Sequence, residues 1–315
     1  MDEYEKNVIF LRETLRTNLD NINKMNVNKS IKYIKMLSEK NNYNKAINKL
    51  NKLNKLKPRL NLKTALLFGL NYMGTRNELF GCINDTINIK DILTKQFNYS
   101  SFNILTDKTN KKPTRQNIIS ELTSMLVNAK PGDNLFFLYS GHGTYTTDLN
   151  KDELDGRDEL IVPLDAYSIK TCISDDELKK IITEKLKKGV KLFMLFDSCF
   201  SGTIMDLKYN YLVNDNSLVL NTKNSDTSGQ VICISGCNDQ QTSADAYVSL
   251  SNRNMYSGAM TYSFIKTINE LGKNISLTNL IVSMRNILKT EGYTQIPQLS
   301  SGTNIDINTP IFNLI

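Results

Sequence analysis

Apolar and polar positions change their spacing near residue 64, and this change divides the chain into two unlike parts. Before that point, apolar residues recur at helical spacing over 8–22 and again over 31–56. Beyond it, short apolar runs such as NLFFLYS (134–140) and VKLFMLFDS (190–198) alternate with amphipathic segments. Near-continuous apolar runs are typical of strands that are covered on both faces. The pattern predicts a helical N-terminal arm followed by an α/β body.

The predicted body is a sandwich with a largely parallel central sheet and helices on both faces. Predicted strands cover 64–71, 102–106, 134–140, 190–198 and 230–236. Predicted helices cover 82–97, 113–129, 175–189, 256–272 and 276–289. A stretch rich in Asn, Ser and Asp predicts an exposed linker. We therefore divide the chain into a basic arm (1–60), a large part (61–206), a linker (207–229) and a small part (230–315).

The basic charge of the chain belongs to the arm. Residues 1–63 hold 15 Lys and Arg against 6 Asp and Glu, whereas the other residues hold 24 against 26. Such an arm could bind nucleic acid or a membrane surface. It lacks the clustered Arg and interleaved aromatic residues of nucleic-acid binders, so we expect a solvated helical arm packed on the body and no nucleic-acid partner.

The sequence also indicates the cellular compartment of the protein. No apolar run approaches the roughly 18–20 residues of a membrane span, and the N-terminus does not resemble a signal peptide. Five cysteines in 315 residues do not suggest a disulfide framework. These features predict a cytoplasmic protein in a reducing compartment.

Two polar loops, 140–143 and 197–202, directly follow apolar strands. In parallel α/β sheets, active sites form beyond the carboxyl ends of the strands. His142 is the only histidine, and it lies between two glycines where we expect no side chain for it to pack against. Cys199 follows a strand end, whereas Cys233 lies within a strand. We expect a Cys199–His142 pair in which imidazole supports the thiolate, the alternatives being a structural histidine and a buried apolar cysteine.

These loops and the segments around them resemble the motifs of metacaspases, which belong to the caspase-like clan of cysteine peptidases. The motifs run in family order between residues 64 and 302. They are LFGCIND (79–85), YSGHG (139–143), DELIVPLD (158–165), DDEL (175–178), FDSCFSG (196–202), ISGC (234–237), QTSAD (241–245), GAMT (258–261) and PQLS (297–300). Phe200 departs from the family motif, which has a non-catalytic His there. The resemblance implies a caspase-like sandwich, cysteine endopeptidase activity and, with the short linker, a type I-like monomer.

The resemblance also implies roles for individual residues. His142 and Cys199 would be catalytic, and the backbone N–H groups of Gly143 and Cys199 would form the oxyanion hole. The substrate-binding pocket would be formed by Cys82, Asp85, Ser140 and Asp197. Two carboxylates in one pocket would select protein or peptide substrates with Arg or Lys before the scissile bond. The alternative for Asp85 is a helix N-terminal carboxylate that favours the helix dipole.

A second acidic group consists of Asp158, Asp175, Asp176 and Asp206. Carboxylates without His or Cys suit a hard cation such as Ca²⁺. Metacaspases resemble this chain in carrying Asp at matching positions, and many require calcium. The alternative is that Asp175 and Asp176 cap the helix that follows. No organic cofactor is expected.

Two other functions compete with a calcium-activated endopeptidase. One is a catalytically silent caspase-like scaffold that acts through its arm, which only Phe200 favours. The other is a peptidase that cleaves after Asp, which would need a basic pocket. If cleavage follows basic residues, the arm is expected to restrain the enzyme as a zymogen until it is removed. Potential self-cleavage sites in a chain this rich in lysine are Lys57, Arg59, Lys208 and Lys223.

Overall fold

The computed structural model describes residues 61–147, 157–198, 204–205, 207–213, 217–221, 224–237, 245–250 and 253–315. The predicted arm, Cys199 and Asp206 lie outside the described residues. Among the helices of the described part, none combines the length and the apolar character needed to cross a bilayer.

The described residues form thirteen strands and five α-helices. The strands are β1 (Lys63–Gly69), β2 (Ser101–Thr106), β3 (Asn134–Ser140), β4 (Gly143–Thr147), β5 (Arg157–Ile161), β6 (Ile173–Ser174), β7 (Lys191–Asp197), β8 (Tyr209–Leu212), β9 (Ser217–Leu220), β10 (Gln230–Cys237), β11 (Asp245–Leu250), β12 (Arg253–Gly258) and β13 (Ile296–Ser301). The helices are α1 (Cys82–Phe97), α2 (Arg115–Asn128), α3 (Asp175–Lys185), α4 (Ala259–Leu271) and α5 (Leu277–Thr290). Each predicted strand and helix of the body therefore has a counterpart.

Eight strands form the central sheet, in the order β2-β1-β3-β7-β10-β13-β8-β9. The pairings from β2 through β10 are parallel, and those from β10 through β9 are antiparallel. Two small antiparallel sheets, β4-β5-β6 and β11-β12, stand apart from it. The mixed sheet with its parallel centre confirms the predicted α/β sandwich.

Helices cover both faces of this sheet, and each face has its own apolar core. Successive residues of a strand point to opposite faces. Leu67 and Leu138 accordingly pack in a core with α1, α4 and α5, whereas Leu66 and Phe137 pack in a second core with α2 and α3. Burial on both sides explains why the central strands have almost no polar residues.

Three helices begin at side-chain caps that a sequence pattern can identify. Thr114, Ser174 and Ser276 accept hydrogen bonds from the backbone N–H three residues further on, at the starts of α2, α3 and α5. These caps fix the first residues of the three helices.

The structure differs in detail from two predictions about the chain between strands. The described part of the predicted linker, 207–229, contains a β8–β9 hairpin that joins the central sheet through β13. Helix α3 ends at Lys185, ahead of the predicted end at 189, and Gly189 occupies a turn with φ of +82° before β7. Short strands in a polar segment lack the apolar run that marks the central strands.

Candidate active site

The two predicted catalytic loops leave the same edge of the central sheet. Strands β3 and β7 are parallel neighbours, and their register pairs Ser140 with Asp197. The loops are also tied together, since the Gly141 N–H donates to the Asp197 carbonyl oxygen at 3.2 Å. Ser198 directly follows β7, and His142 lies two residues after the end of β3. The predicted nucleophile, Cys199, is the next residue along the chain and lies outside the described residues.

The His142 ring is held by a neighbouring ring and by a carbonyl group. It lies against the ring of Tyr72, with 4.6 Å between the centroids and 33° between the planes. Its Nε2 atom lies 2.7 Å from the Asn77 carbonyl oxygen. Because a carbonyl oxygen only accepts, Nε2 carries the proton and Nδ1 is the nitrogen that can take up another. The expectation that no side chain packs against His142 is therefore wrong.

Two tyrosine hydroxyls hold the backbone on either side of that ring. The His142 N–H donates to the Tyr72 hydroxyl at 3.0 Å, and the Tyr139 hydroxyl donates to the His142 carbonyl at 2.8 Å. The Tyr72 hydroxyl donates to the Val162 carbonyl oxygen at 2.7 Å, and the Tyr139 hydroxyl oxygen lies 3.0 Å from the same carbonyl oxygen. Sequence reasoning missed Tyr72, which lies 70 residues from His142. Nothing in the sequence around Tyr72 indicates this contact; in the structure the residue follows β1 in the left-handed region, at φ of 51°.

Gly143, predicted to contribute to the oxyanion hole, begins β4. It pairs with Ile161 of β5 and is half-buried. It thus lies one residue beyond His142 at the same sheet edge.

Asp85 lies in the first turn of α1, fully buried, and four hydrogen bonds surround its carboxylate. Oδ2 accepts from the Ser140 hydroxyl at 2.6 Å, and Oδ1 accepts from the Ser257 hydroxyl at 2.5 Å. The Gly258 N–H donates to both oxygens at 3.0 Å. A carboxylate buried in this way is stabilised by donors from β3 and β12, which reach it from outside its own helix.

Asp197 lies at the junction of β12 and α4, where the Asp85 carboxylate also binds. Its Oδ2 atom accepts from the Thr261 N–H at 2.7 Å, so it caps α4 from a distant strand. A Cβ atom added at Gly258 would lie 2.2 Å from that oxygen. Glycine is therefore required where the two aspartates meet, and Asp197 is itself 2% exposed.

Burial raises the pKa of the Asp85 carboxyl to about 8, and the nearby Asp197 carboxylate adds to the rise. The hydrogen bonds from Ser140, Ser257 and Gly258 act in the opposite sense because they stabilise the ionised form. Burial and the neighbouring carboxylate both disfavour the ionised form, so Asp85 keeps its proton to a higher pH than an exposed aspartate does. Its attraction for a cationic side chain should accordingly grow as the pH rises.

Cys82 and Ser140 complete the predicted pocket set. Cys82 is the first residue of α1, one turn before Asp85, and is 3% exposed. The end of β1 lies close against it, since a Cβ atom at Gly69 would be 2.3 Å from the Cys82 carbonyl oxygen. The structure thus brings Cys82, Asp85, Ser140 and Asp197 to one buried region beside the His142 loop.

The predicted calcium ligands that are described lie around the small β4-β5-β6 sheet. Asp158 lies in β5, and Asp175 and Asp176 begin α3 directly after β6. The Glu159 N–H donates to Asp175 Oδ2 at 3.4 Å, which links the two segments. Ser174 caps α3, so the alternative in which Asp175 and Asp176 serve as its cap is wrong. Within the described residues, no three His, Cys, Asp or Glu form a group that could hold a metal ion.

Comparison with known proteins decides the family. The metacaspase peptidase C14 domain model matches residues 63–208. The chain is similar to Metacaspase-1 of Meyerozyma guilliermondii, with 38% identity over an alignment that covers 78% of this chain and 71% of the relative. The chain belongs to the metacaspase family. Metacaspase-1 of Saccharomyces cerevisiae strain S288c is 36% identical, over 78% of this metacaspase and 68% of the yeast protein.

Similarity to a solved structure concerns the fold alone. A crystal structure of a Geobacter sulfurreducens protein matches with a TM-score of 0.57 and 22% identity. The match covers 81% of this chain and 99% of that chain. Family membership makes this metacaspase a caspase-like cysteine peptidase, a hydrolase whose substrates are proteins or peptides. The predicted resemblance and enzyme class are confirmed.

Proposed function

We propose that this metacaspase is an endopeptidase that cleaves after Arg or Lys, with Cys199 as nucleophile and His142 as its acid–base partner. The observation that carries the proposal is the register of β3 and β7. It places the His142 loop, the Asp197 carboxylate and the residue before Cys199 at one sheet edge. The Ser140 hydroxyl joins Asp85 to the same edge.

The state of the imidazole supports the role proposed for His142. With Nε2–H donated to Asn77, Nδ1 is available to accept the thiol proton and later to return it. The thiolate would attack the scissile carbonyl carbon, and the N–H groups of Gly143 and Cys199 would stabilise the developing oxyanion. Protonation of the leaving amine by imidazolium would release it and leave an acyl-enzyme, which water hydrolyses.

The charge of the buried region supports the proposed specificity. Asp85 and Asp197 meet at Gly258, and an acidic pair of this kind favours a cationic side chain of the substrate. The same pair would repel an aspartate, which opposes cleavage after Asp.

A panel of peptides that differ only before the scissile bond tests the proposal. We expect hydrolysis after Arg and Lys, at least a roughly tenfold loss after citrulline, the neutral analogue of Arg, and none after Asp. The measurement is kcat/KM for the full-length protein. The silent scaffold predicts no hydrolysis of any peptide and a Cys199 that a thiol alkylator modifies no faster than Cys172. Equal rates after Arg and citrulline would overturn the proposed specificity.

Self-processing is also proposed, and the structure bears on one of its four candidate sites. The Lys208 carbonyl oxygen accepts from the Asn221 N–H at 2.8 Å. The Lys208 side-chain ammonium group forms an ion pair with Asp226 at 2.8 Å. Cleavage after Lys208 would first require the β8–β9 hairpin to loosen at this end. Lys57, Arg59 and Lys223 lie outside the described residues.

The proposal also includes a calcium site, formed by Asp158, Asp175, Asp176 and Asp206. The donor set suits the ion, because carboxylates are the ligands that Ca²⁺ prefers. Asp158 and Asp176 are half-buried on neighbouring segments, and Asp175 is held by the N–H groups of Glu159 and Asp176. A bound cation would remove the repulsion among these carboxylates and favour one arrangement of their loops.

We expect millimolar Ca²⁺ to raise peptide hydrolysis over excess chelator, and Asp176→Asn to weaken calcium binding in a calorimetric titration. A matched control is Asp91→Asn, which removes a carboxylate from the exposed Lys95 pair on α1. Titrating the Cys199→Ala variant separates binding from self-cleavage. Equal calcium affinity in Asp176→Asn and the control would contradict the proposed site.

A further inference from the structure

Strand β12 places the Ser257 hydroxyl directly on Asp85, where the substrate's basic side chain is proposed to bind. Ser257 is fully buried, and its Oγ lies 2.5 Å from Asp85 Oδ1. The β12 strand is fastened to the start of α1 beside this bond. Asn84 Nδ2 donates to the Tyr256 carbonyl at 2.8 Å, and the Phe80 and Tyr256 rings lie 5.5 Å apart.

The hydrogen bonds of Asp85 leave no room for an additional donor. A carboxylate offers about four acceptor positions. Three donor groups occupy these positions, because the Ser140 and Ser257 hydroxyls take one oxygen each and the single Gly258 N–H is shared between both oxygens, and Asp85 is fully buried. A substrate guanidinium or ammonium group can therefore reach this carboxylate only if one of these donors leaves.

Ser257 is the donor that can leave most easily. The Gly258 N–H belongs to the backbone where β12 joins α4, and Ser140 lies in the central sheet. Both serine hydroxyls sit on a single rotatable bond, but the Ser257 hydroxyl has a second acceptor nearby, the Gly258 carbonyl at 3.4 Å. Turning the hydroxyl toward that carbonyl would keep it hydrogen-bonded while it vacates Oδ1.

We propose that Ser257 is a specificity-determining residue that occupies Asp85 in the absence of substrate and yields its place to an Arg or Lys side chain. This inference rests on the proposed function and deepens it. The small part of the chain then takes part in substrate selection through β12. A basic side chain must compete with a hydrogen bond made within the protein, whereas a neutral side chain gains too little to displace it.

Removing the hydroxyl should improve the binding of basic substrates, and the size of the effect should depend on pH. Above the pKa of Asp85, substrate binding to the wild type breaks a charge-assisted hydrogen bond between Ser257 and Asp85. The Ser257→Ala variant has no such bond to lose, so its KM for an Arg peptide should be roughly tenfold lower. Below that pKa, Asp85 is protonated and the bond is weaker, so the two proteins should have similar KM. Asp197 from β7 raises the pKa of Asp85 in both proteins.

The experiment measures KM and kcat for one Arg peptide at pH 6.5 and pH 9 in wild type, Ser257→Ala and Ser263→Ala. Ser263 is a buried serine of α4 whose hydroxyl donates to the Met260 carbonyl at 2.8 Å, so it is a matched control for losing a buried hydroxyl. We expect kcat to be unchanged, and KM to fall only for Ser257→Ala and only at pH 9. If the alanine variant does not fold, Ser257→Cys keeps nearly the same shape with a weak donor and serves the same measurement.

Two results would overturn the inference. One is an unchanged KM at both pH values, and the other is a KM that rises at pH 9, which would make Ser257 a substrate ligand. Failure of the proposed function can be told apart from failure of this inference. If the proposed function is wrong, the wild-type protein itself shows no preference for Arg over citrulline peptides. An intact Arg preference with no effect of Ser257→Ala defeats the inference alone.

Discussion

We expect Cys199→Ala and His142→Ala each to abolish peptide hydrolysis while leaving the fold intact. Without the thiol there is no nucleophile, and without the imidazole nothing holds the thiolate or protonates the leaving amine. Losing one member of such a catalytic pair typically lowers kcat by a factor of about 10³–10⁴ or more. The measurement is the initial rate on an Arg peptide, with thermal unfolding as the check on the fold.

Cys172→Ala is the matched control, because Cys172 carries a buried thiol and belongs to the segment before β6. Burial raises the pKa of its thiol, which disfavours the reactive thiolate, so its removal should leave the rate unchanged. His142 is the only histidine in the chain. Turnover retained in His142→Ala would therefore show that the base is a group other than imidazole.

Asp85→Asn and Asp197→Asn should each lower kcat/KM for an Arg peptide by more than about tenfold, whereas hydrolysis of the citrulline peptide should change little. Removing one charge from a desolvated ion pair typically costs about 2–5 kcal/mol. Asparagine is the better substitution at 197, because its side-chain oxygen can still accept from the Thr261 N–H and cap α4. The ratio of the two kcat/KM values is the measurement, since it cancels any general loss of activity.

Ser140→Ala provides the comparison for Asp85→Asn. It removes one of the donors to Asp85 but leaves the carboxylate in place. We expect its effect on the Arg-to-citrulline ratio to be smaller than that of either asparagine substitution. An unchanged ratio in both Asp85→Asn and Asp197→Asn would place the recognition of basic residues elsewhere.

Much of the fold follows from patterns that are local in the sequence. The apolar runs of β3 and β7 predict strands covered on both faces, and α1 and α2 follow from amphipathic spacing with clear starts. The predictions fail where the pattern is weak. The hairpin β8–β9 has exposed apolar residues among polar ones, including Leu218 and Val219, and only its pairing with β13 makes it part of the sheet.

The candidate site shows the same division. Loops after apolar strands point to His142 and Cys199, because the carboxyl ends of parallel strands meet at one edge. Nothing local predicts that Tyr72 would lie against the histidine or that Asn77 would accept from its Nε2 atom. Those contacts depend on how the chain after β1 returns across the sheet edge.

The sequence by itself determined the class of the fold, the order of its central elements and the residues that end its strands. Only the tertiary structure decided what surrounds Asp85. Its donors Ser140, Ser257 and Gly258 lie 55, 172 and 173 residues away along the chain. Periodicity and capping express interactions between near neighbours, whereas a buried carboxylate must find donors wherever packing brings them, because leaving it unsatisfied is costly.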